Sequence, residues 1–295
     1  MFVHRSKCSY SLLQPDRVVS TGEKKSCTKE NCSQGLPNSY RATESVSLAK
    51  KTMKPWERDE LILAINLYCK TPFGRIHVRN PEIIELAMLL GRTPGSVSYK
   101  LANFASIDPS LDRKGASNVS RLDKEVWHEF FEDWEAMAYE SEKKMAAIRG
   151  TEADIFNQNI LEGKTKDAVV KLRVNQHFFR KMILAAYNSK CCITGLPLEK
   201  LLVASHIVPW AKDSKNRLNP QNGLCLNALH DKAFDSGLLT IDESYHVVLS
   251  KEILALDNKT IKLIRDTEGV KMSFPNRFMP RQDFLQYHRE NIFIG

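Results

Sequence analysis

The spacing of apolar residues changes along the chain, and each change marks an expected element. Between Pro55 and Lys70, Leu61, Ile62, Ile65 and Tyr68 recur at helical spacing. Glu57, Asp59 and Glu60 occupy the first turn, where the helix dipole favours acids, so this stretch predicts a helix. A second helix is expected from Pro81 to Leu90, stopped by Gly91. Thr93 then caps a third helix that opens on Pro94 and turns Val97, Leu101 and Phe104 inward. Ser96, Ser98, Lys100 and Asn103 fall on the other face of that helix, which gives the pair the outline of a helix-turn-helix. Lys100 and Asn103 are then candidate DNA contacts, although a plain packing or oligomerisation module has the same outline.

Residues 121–160 carry Trp127, Phe130, Phe131, Trp134 and Met137 at helical spacing among many carboxylates, a pattern that predicts core packing. A helix over Gln176–Tyr187 precedes a strand at Leu201–Ala204, which leads into Ser205-His206-Ile207-Val208-Pro209-Trp210. A polar loop ends in Asn219-Pro220-Gln221-Asn222-Gly223, followed by a second short strand, Leu224–Leu226. A helix then carries His230-Asp231-Lys232-Ala233-Phe234-Asp235 as far as Gly237. Residues 238–241 and 245–249 alternate as a hairpin, and a last helix spans Gln282–Asn291. The first 51 residues are rich in Ser, Lys, Asn and Gln with no apolar period, which predicts disorder, and Met53 is a candidate start.

The 42% of hydrophobic residues is enough for a core, and no run approaches the roughly 18 consecutive apolar residues a membrane-spanning helix needs. The formal charge of +8 is unevenly distributed. Residues 1–54 hold 10 basic against 4 acidic groups, residues 121–160 hold 5 against 10, and residues 161–220 hold 11 against 4. Such blocks suggest segments with separate tasks, the basic ones suited to a polyanion. The seven cysteines are odd in number and irregularly spaced, which predicts reduced thiols in a cytoplasmic protein rather than a disulfide framework.

One strand, loop, strand and helix thus bring a histidine, an asparagine and a second histidine into one small ββα unit. Phosphodiester hydrolysis needs a base for the attacking water and a cation for the phosphate and the leaving oxygen; imidazole and N/O-ligated metals supply these. His206, Asn222 and His230, with their flanking strings, resemble the HNH (ββα-metal) nucleases, specifically bacterial HNH restriction endonucleases. The resemblance extends to Arg173–Arg180, to Tyr287–Phe293 and to the helical block from Trp56 to Phe104. It implies that His206 is the general base, oriented by a backbone carbonyl, and that His230 binds a divalent metal, Mg2+ or Mn2+ first. Asn222 is implied either as a metal ligand or as a tie for the loop that holds the base. Products with 5′-phosphate and 3′-hydroxyl ends are implied as well.

Two departures from that family stand out. Ser205 occupies the place before the base where many members have an Asp or His ligand, which makes Asp231 and Asp235 candidates, with Asp235 the more readily structural. Paired C-x-x-C ligands are missing around Cys191 and Cys192, so no structural zinc is expected. Arg180, Lys181, Lys212, Lys215 and Arg217 surround the unit as candidate phosphate contacts.

The expected fold class is α+β, with a helical block followed by a C-terminal ββα-metal nuclease domain. The expected divisions are a disordered basic extension (1–52), a helical DNA-contacting domain (53–120), an acidic helical connector (121–170) and an HNH nuclease domain (171–295). DNA is the expected partner, with a second copy of the chain a further one and no membrane. The expected function is metal-dependent DNA cleavage in restriction or defence. The alternative is a silent DNA-binding regulator that keeps the fold.

Overall fold

The computed structural model describes residues 54–111, 116, 118–151, 166–257 and 259–295, so the expectations for residues 1–52 lie outside the described residues. The first helix, α1 (Arg58–Lys70), is buried along nearly its whole length, from Glu60 to Cys69. A helix that is apolar on all sides must be surrounded. Around it pack α2 (Pro81–Leu89), α3 (Pro94–Ile107), α4 (Arg121–Glu132), α5 (Trp134–Arg149) and α6 (Lys166–Ala186). Local chemistry sets the ends of these elements. Asn80 and Thr93 accept hydrogen bonds from the amides of Glu82 and Ser96, and a proline follows each cap.

The aromatic stripe of residues 121–160 is split. Asp133 ends α4, and its carboxylate accepts from the amide of Ala136 to begin α5. The chain turns there while Phe130, Phe131 and Trp134 remain in ring contact.

The C-terminal part adds two antiparallel strand pairs. These are β1 (Leu202–His206) with β2 (Gly223–Asn227), and β3 (Leu239–Ile241) with β4 (Val247–Leu249). Between the pairs lies α7 (Ala228–Asp235). Two short helices that the apolar pattern did not reveal, α8 (Lys251–Ala255) and α9 (Lys259–Arg265), follow β4, and α10 (Gln282–Asn291) packs on β3. The molecule is thus helix-rich with small antiparallel strand pairs.

The structure corrects the expected outer face of α3. Lys100 is buried, its Nζ 2.8 Å from Asp123 Oδ1 and 5.3 Å over the Trp56 ring. Asn103 is also buried and donates to Asn118 O at 3.0 Å. Both side chains tie α3 to the segment entering α4, and neither reaches solvent. Tyr99 is instead exposed on this helix.

His288 on α10 locks the C-terminus against the nearby strand pair. Its Nε2–H donates to Phe234 O at 3.1 Å, its Nδ1 accepts from Thr240 Oγ1 at 2.9 Å, and its ring stacks on Phe234. Burial leaves no room to solvate a proton and pushes its pKa down to about 4, from an ordinary 6.5. The unfolded chain therefore binds the proton first. This contribution to stability is complete above pH 6.5 and is lost as pH falls toward 4, worth roughly 3 kcal/mol. Urea melts between pH 7 and pH 4 should show it, and the drop should shrink in His288→Gln; an equal drop in both proteins would refute the assignment.

Candidate active site

The β1–β2 hairpin is clasped on both faces. Side chains alternate along a strand, so Ser205 and His206 point to opposite sides. On one side lies α6. Gly223, paired with His206, has no space for a side chain, because a Cβ there would meet Ile183 Cδ1 at 2.5 Å and Phe179 Cζ at 2.8 Å. Gly223 therefore allows α6 to approach and the His206 ring to stack on Phe179, with centroids 4.0 Å apart and planes 11° apart. On the other side lies α7, packed against both strands.

His206 is held in one tautomer. Its Nε2–H donates to Arg217 O at 2.9 Å, and Trp210 meets its ring edge-on at 5.3 Å. Nδ1 makes no hydrogen bond among the described residues and carries the ring's lone pair. Burial lowers the pKa of His206, and the Arg217 carbonyl opposes that shift. The ring is therefore neutral and basic at neutral pH.

Asn222 is 1% exposed, and its amide is fully engaged in bracing. Oδ1 accepts from Val208 N at 2.8 Å, while Nδ2 donates to Val208 O at 3.1 Å and Asn216 O at 3.3 Å. Asn216 continues the brace to Asp213 and Asn219. Of the two roles left open for Asn222, loop tie and metal ligand, the geometry supports the tie. The loop it closes carries the carbonyl that orients His206.

His230 belongs to α7 rather than to the hairpin. It lies in the first turn of α7, next to Asn227, which pairs with Leu202 at the far end of the hairpin from the His206–Gly223 pair. Asn227 Oδ1 caps the helix and also meets His230 Nδ1 at 2.9 Å. His230 is buried, its pKa lowered by that burial, and its Nε2 has no partner among the described residues. It borders an apolar cleft of about 650 Å³ lined by Thr194, Leu196 and Leu201.

On the face of the hairpin opposite His206, Ser205 meets Asp231 of α7. Ser205 is 2% exposed, and its Oγ closes no hydrogen bond of ordinary geometry. It lies near enough to Asp231 to oppose the rise in pKa that burial imposes on that carboxyl. Asp235, one turn on, is raised by burial and by repulsion from Asp231. Lys232 tempers both.

A divalent ion is compatible with this set. Among the described residues no three His, Cys, Asp or Glu side chains form a ready cage. A hard cation such as Mg2+, however, is commonly held by one or two carboxylates together with substrate phosphate and water. Asp231, close to the buried Ser205 hydroxyl, and Asp235 one turn on along the helix are carboxylates of that kind.

Lys212 and Lys215 are exposed on the loop after Trp210, open to a polyanion. Arg217 is half-buried, its Nε donating to Trp210 O and its guanidinium 5.4 Å over the Trp210 ring. Arg180 is otherwise occupied: it donates to Leu202 O at 2.6 Å and Glu199 O at 3.1 Å, fastening the start of β1 to α6. Lys181 is exposed on α6 and lines a different cleft, with His177 and Glu142.

Phe179 and the Arg217 carbonyl escaped sequence reasoning, because neither stands at a telling distance from His206. Asn227 carried a readable signal as a cap residue immediately before a helix.

Residues 191–242 match the family model described as HNH endonuclease. No curated protein matches the chain. The matched span contains both strands of the hairpin, the Asn222-braced loop and α7.

Proposed function

The chain carries an HNH endonuclease domain, and from that premise we propose that it is a metal-dependent DNA endonuclease with His206 as general base. The observation that carries this reading is the fixed tautomer of His206. Arg217 O accepts from Nε2–H, which leaves Nδ1 free to take a proton from water, and burial keeps the ring unprotonated at neutral pH. Asn222 acts at one remove, as a positioning residue that holds the loop presenting that carbonyl. Lys212 and Lys215, exposed on the loop after Trp210, and the half-buried Arg217 are the candidate phosphate contacts, and such contacts give sequence-independent affinity. A restriction or defence role accords with this chemistry.

HNH endonucleases generally use divalent ions, and the donors that fit one here are Asp231, which interacts with Ser205, and Asp235 one turn on along α7. A cation held there supplies positive charge to the scissile phosphate and the departing 3′ oxygen. Asp231 takes the role expected of His230, which instead buttresses the start of α7 through Asn227.

Direct Mn2+ binding separates these assignments without recourse to activity. Titration followed by the spectroscopic signal of free Mn2+ should show one site in the wild type, weakened at least tenfold in Asp231→Asn and little changed in His230→Gln. Loss of the site in His230→Gln with retention in Asp231→Asn would reverse the ligand assignment. Absence of any site in the wild type would favour the silent DNA-binding reading.

A further inference from the structure

We propose that the cavity between α4 and the Asn219–Asn222 turn is a pocket for an unstacked nucleobase of the substrate. The choice of ligand rests on the nuclease reading above; the pocket itself rests on separate observations. It encloses about 700 Å³, ample for one nucleotide. Its walls include Trp127, Phe131, Trp134 and Phe278, and its floor includes Gln221, the residue before the brace Asn222.

The aromatic wall is rigid before any ligand arrives. Phe131 stacks on Trp127 at 4.1 Å and meets Trp134 edge-on at 4.3 Å, while Trp134 meets Phe278 at 6.2 Å. Phe278 holds a left-handed backbone, φ 59°, unfavourable for a bulky residue. Strained conformations of this kind cluster at ligand clamps. Phe131 and Trp134 are only half-buried, so ring surface remains for a planar guest.

Charge at the rim identifies the guest. Lys124 and His128 lie four residues apart on α4, on one side of the helix, and both are exposed. Neither has an ion-pair partner among the described residues, although carboxylates are abundant on this helix. The Lys124 ammonium at the rim of an aromatic wall suits a base with its phosphate, as in proteins that bind single strands or flipped bases, with His128 as a further polar group. An apolar peptide would leave the Lys124 ammonium without a counterpart. Gln221 donates its amide N–H to Met279 O at 3.4 Å, which leaves its amide oxygen as an acceptor for a base edge. The pocket thus shares its wall with the turn that positions His206, which would couple capture of a base to cutting nearby.

The test uses full-length protein in the His206→Ala background, without divalent metal, followed by tryptophan fluorescence. The probes are the four 2′-deoxynucleoside 5′-monophosphates and, as the baseless control, 2-deoxyribose 5-phosphate. Saturable quenching by nucleotides, at least tenfold weaker for the sugar phosphate, is expected. Lys124→Glu and Phe131→Ala should each weaken nucleotide binding by about fivefold or more. Lys124→Glu changes an exposed residue and keeps the test valid if Phe131→Ala fails to fold. Equal binding of the sugar phosphate, no quenching, or unchanged binding in Lys124→Glu would overturn the proposal. So would a response to an apolar peptide alone, which would mark a protein-docking groove. Because nothing is cleaved in this assay, the pocket stands or falls apart from the nuclease reading.

Discussion

His206→Ala is expected to lower the rate of DNA cleavage by about a hundredfold to ten-thousandfold, the usual worth of a positioned general base. DNA affinity should change little, since Lys212 and Lys215 are untouched. In the wild type the rate should fall on the acid side as the imidazole takes up a proton. Burial lowers the pKa of His206, so the midpoint of that fall should lie below the ordinary 6.5. In Arg217→Ala the carbonyl remains, and the acid midpoint should stay in place even as affinity drops. An acid midpoint that survives in His206→Ala would assign the base to another group.

Arg277→Met is expected to destabilise the folded protein by about 3 kcal/mol or more. Arg277 is 1% exposed. Its guanidinium donates to Tyr68 O at 3.0 Å, Cys69 O at 3.2 Å and Thr71 O at 2.9 Å, and it lies 4.6 Å over the Tyr68 ring. These carbonyls close the C-terminal end of α1, where a helix leaves acceptors unpaired and its dipole favours a cation. Methionine keeps much of the volume but leaves those acceptors buried without donors. The same contact joins α1 to the segment before α10, more than 200 residues later in the chain. Chemical denaturation of both proteins measures the difference; a loss below about 1 kcal/mol would mean that the carbonyls find other partners.

Much of this architecture could be read from local patterns. The first-turn acids of α1, the Asn and Thr caps before Pro81 and Pro94, and the two strands around His206 and Asn222 all follow rules within a few residues of one another. Contacts set by distant partners could not be read. Lys100 looks like a surface lysine until Asp123 is packed against it, and nothing near Arg277 announces the end of α1. The break at Asp133 was hidden because the aromatic stripe continues through it. At the site, the place of His206 at the end of the first strand was legible, whereas its tautomer depends on a carbonyl eleven residues away. His230 stood out by its residue type; that α7 also brings Asp231 to Ser205 is set by packing across the hairpin.

The most direct test of the central claim is cleavage of supercoiled plasmid by the purified full-length chain with Mg2+ or Mn2+, with and without a chelator, followed by sequencing of the ends. The expected cuts require the divalent ion, bear 5′-phosphate and 3′-hydroxyl ends, and vanish in His206→Ala. DNA binding without cutting in any divalent ion, or equal cutting by His206→Ala, would contradict it.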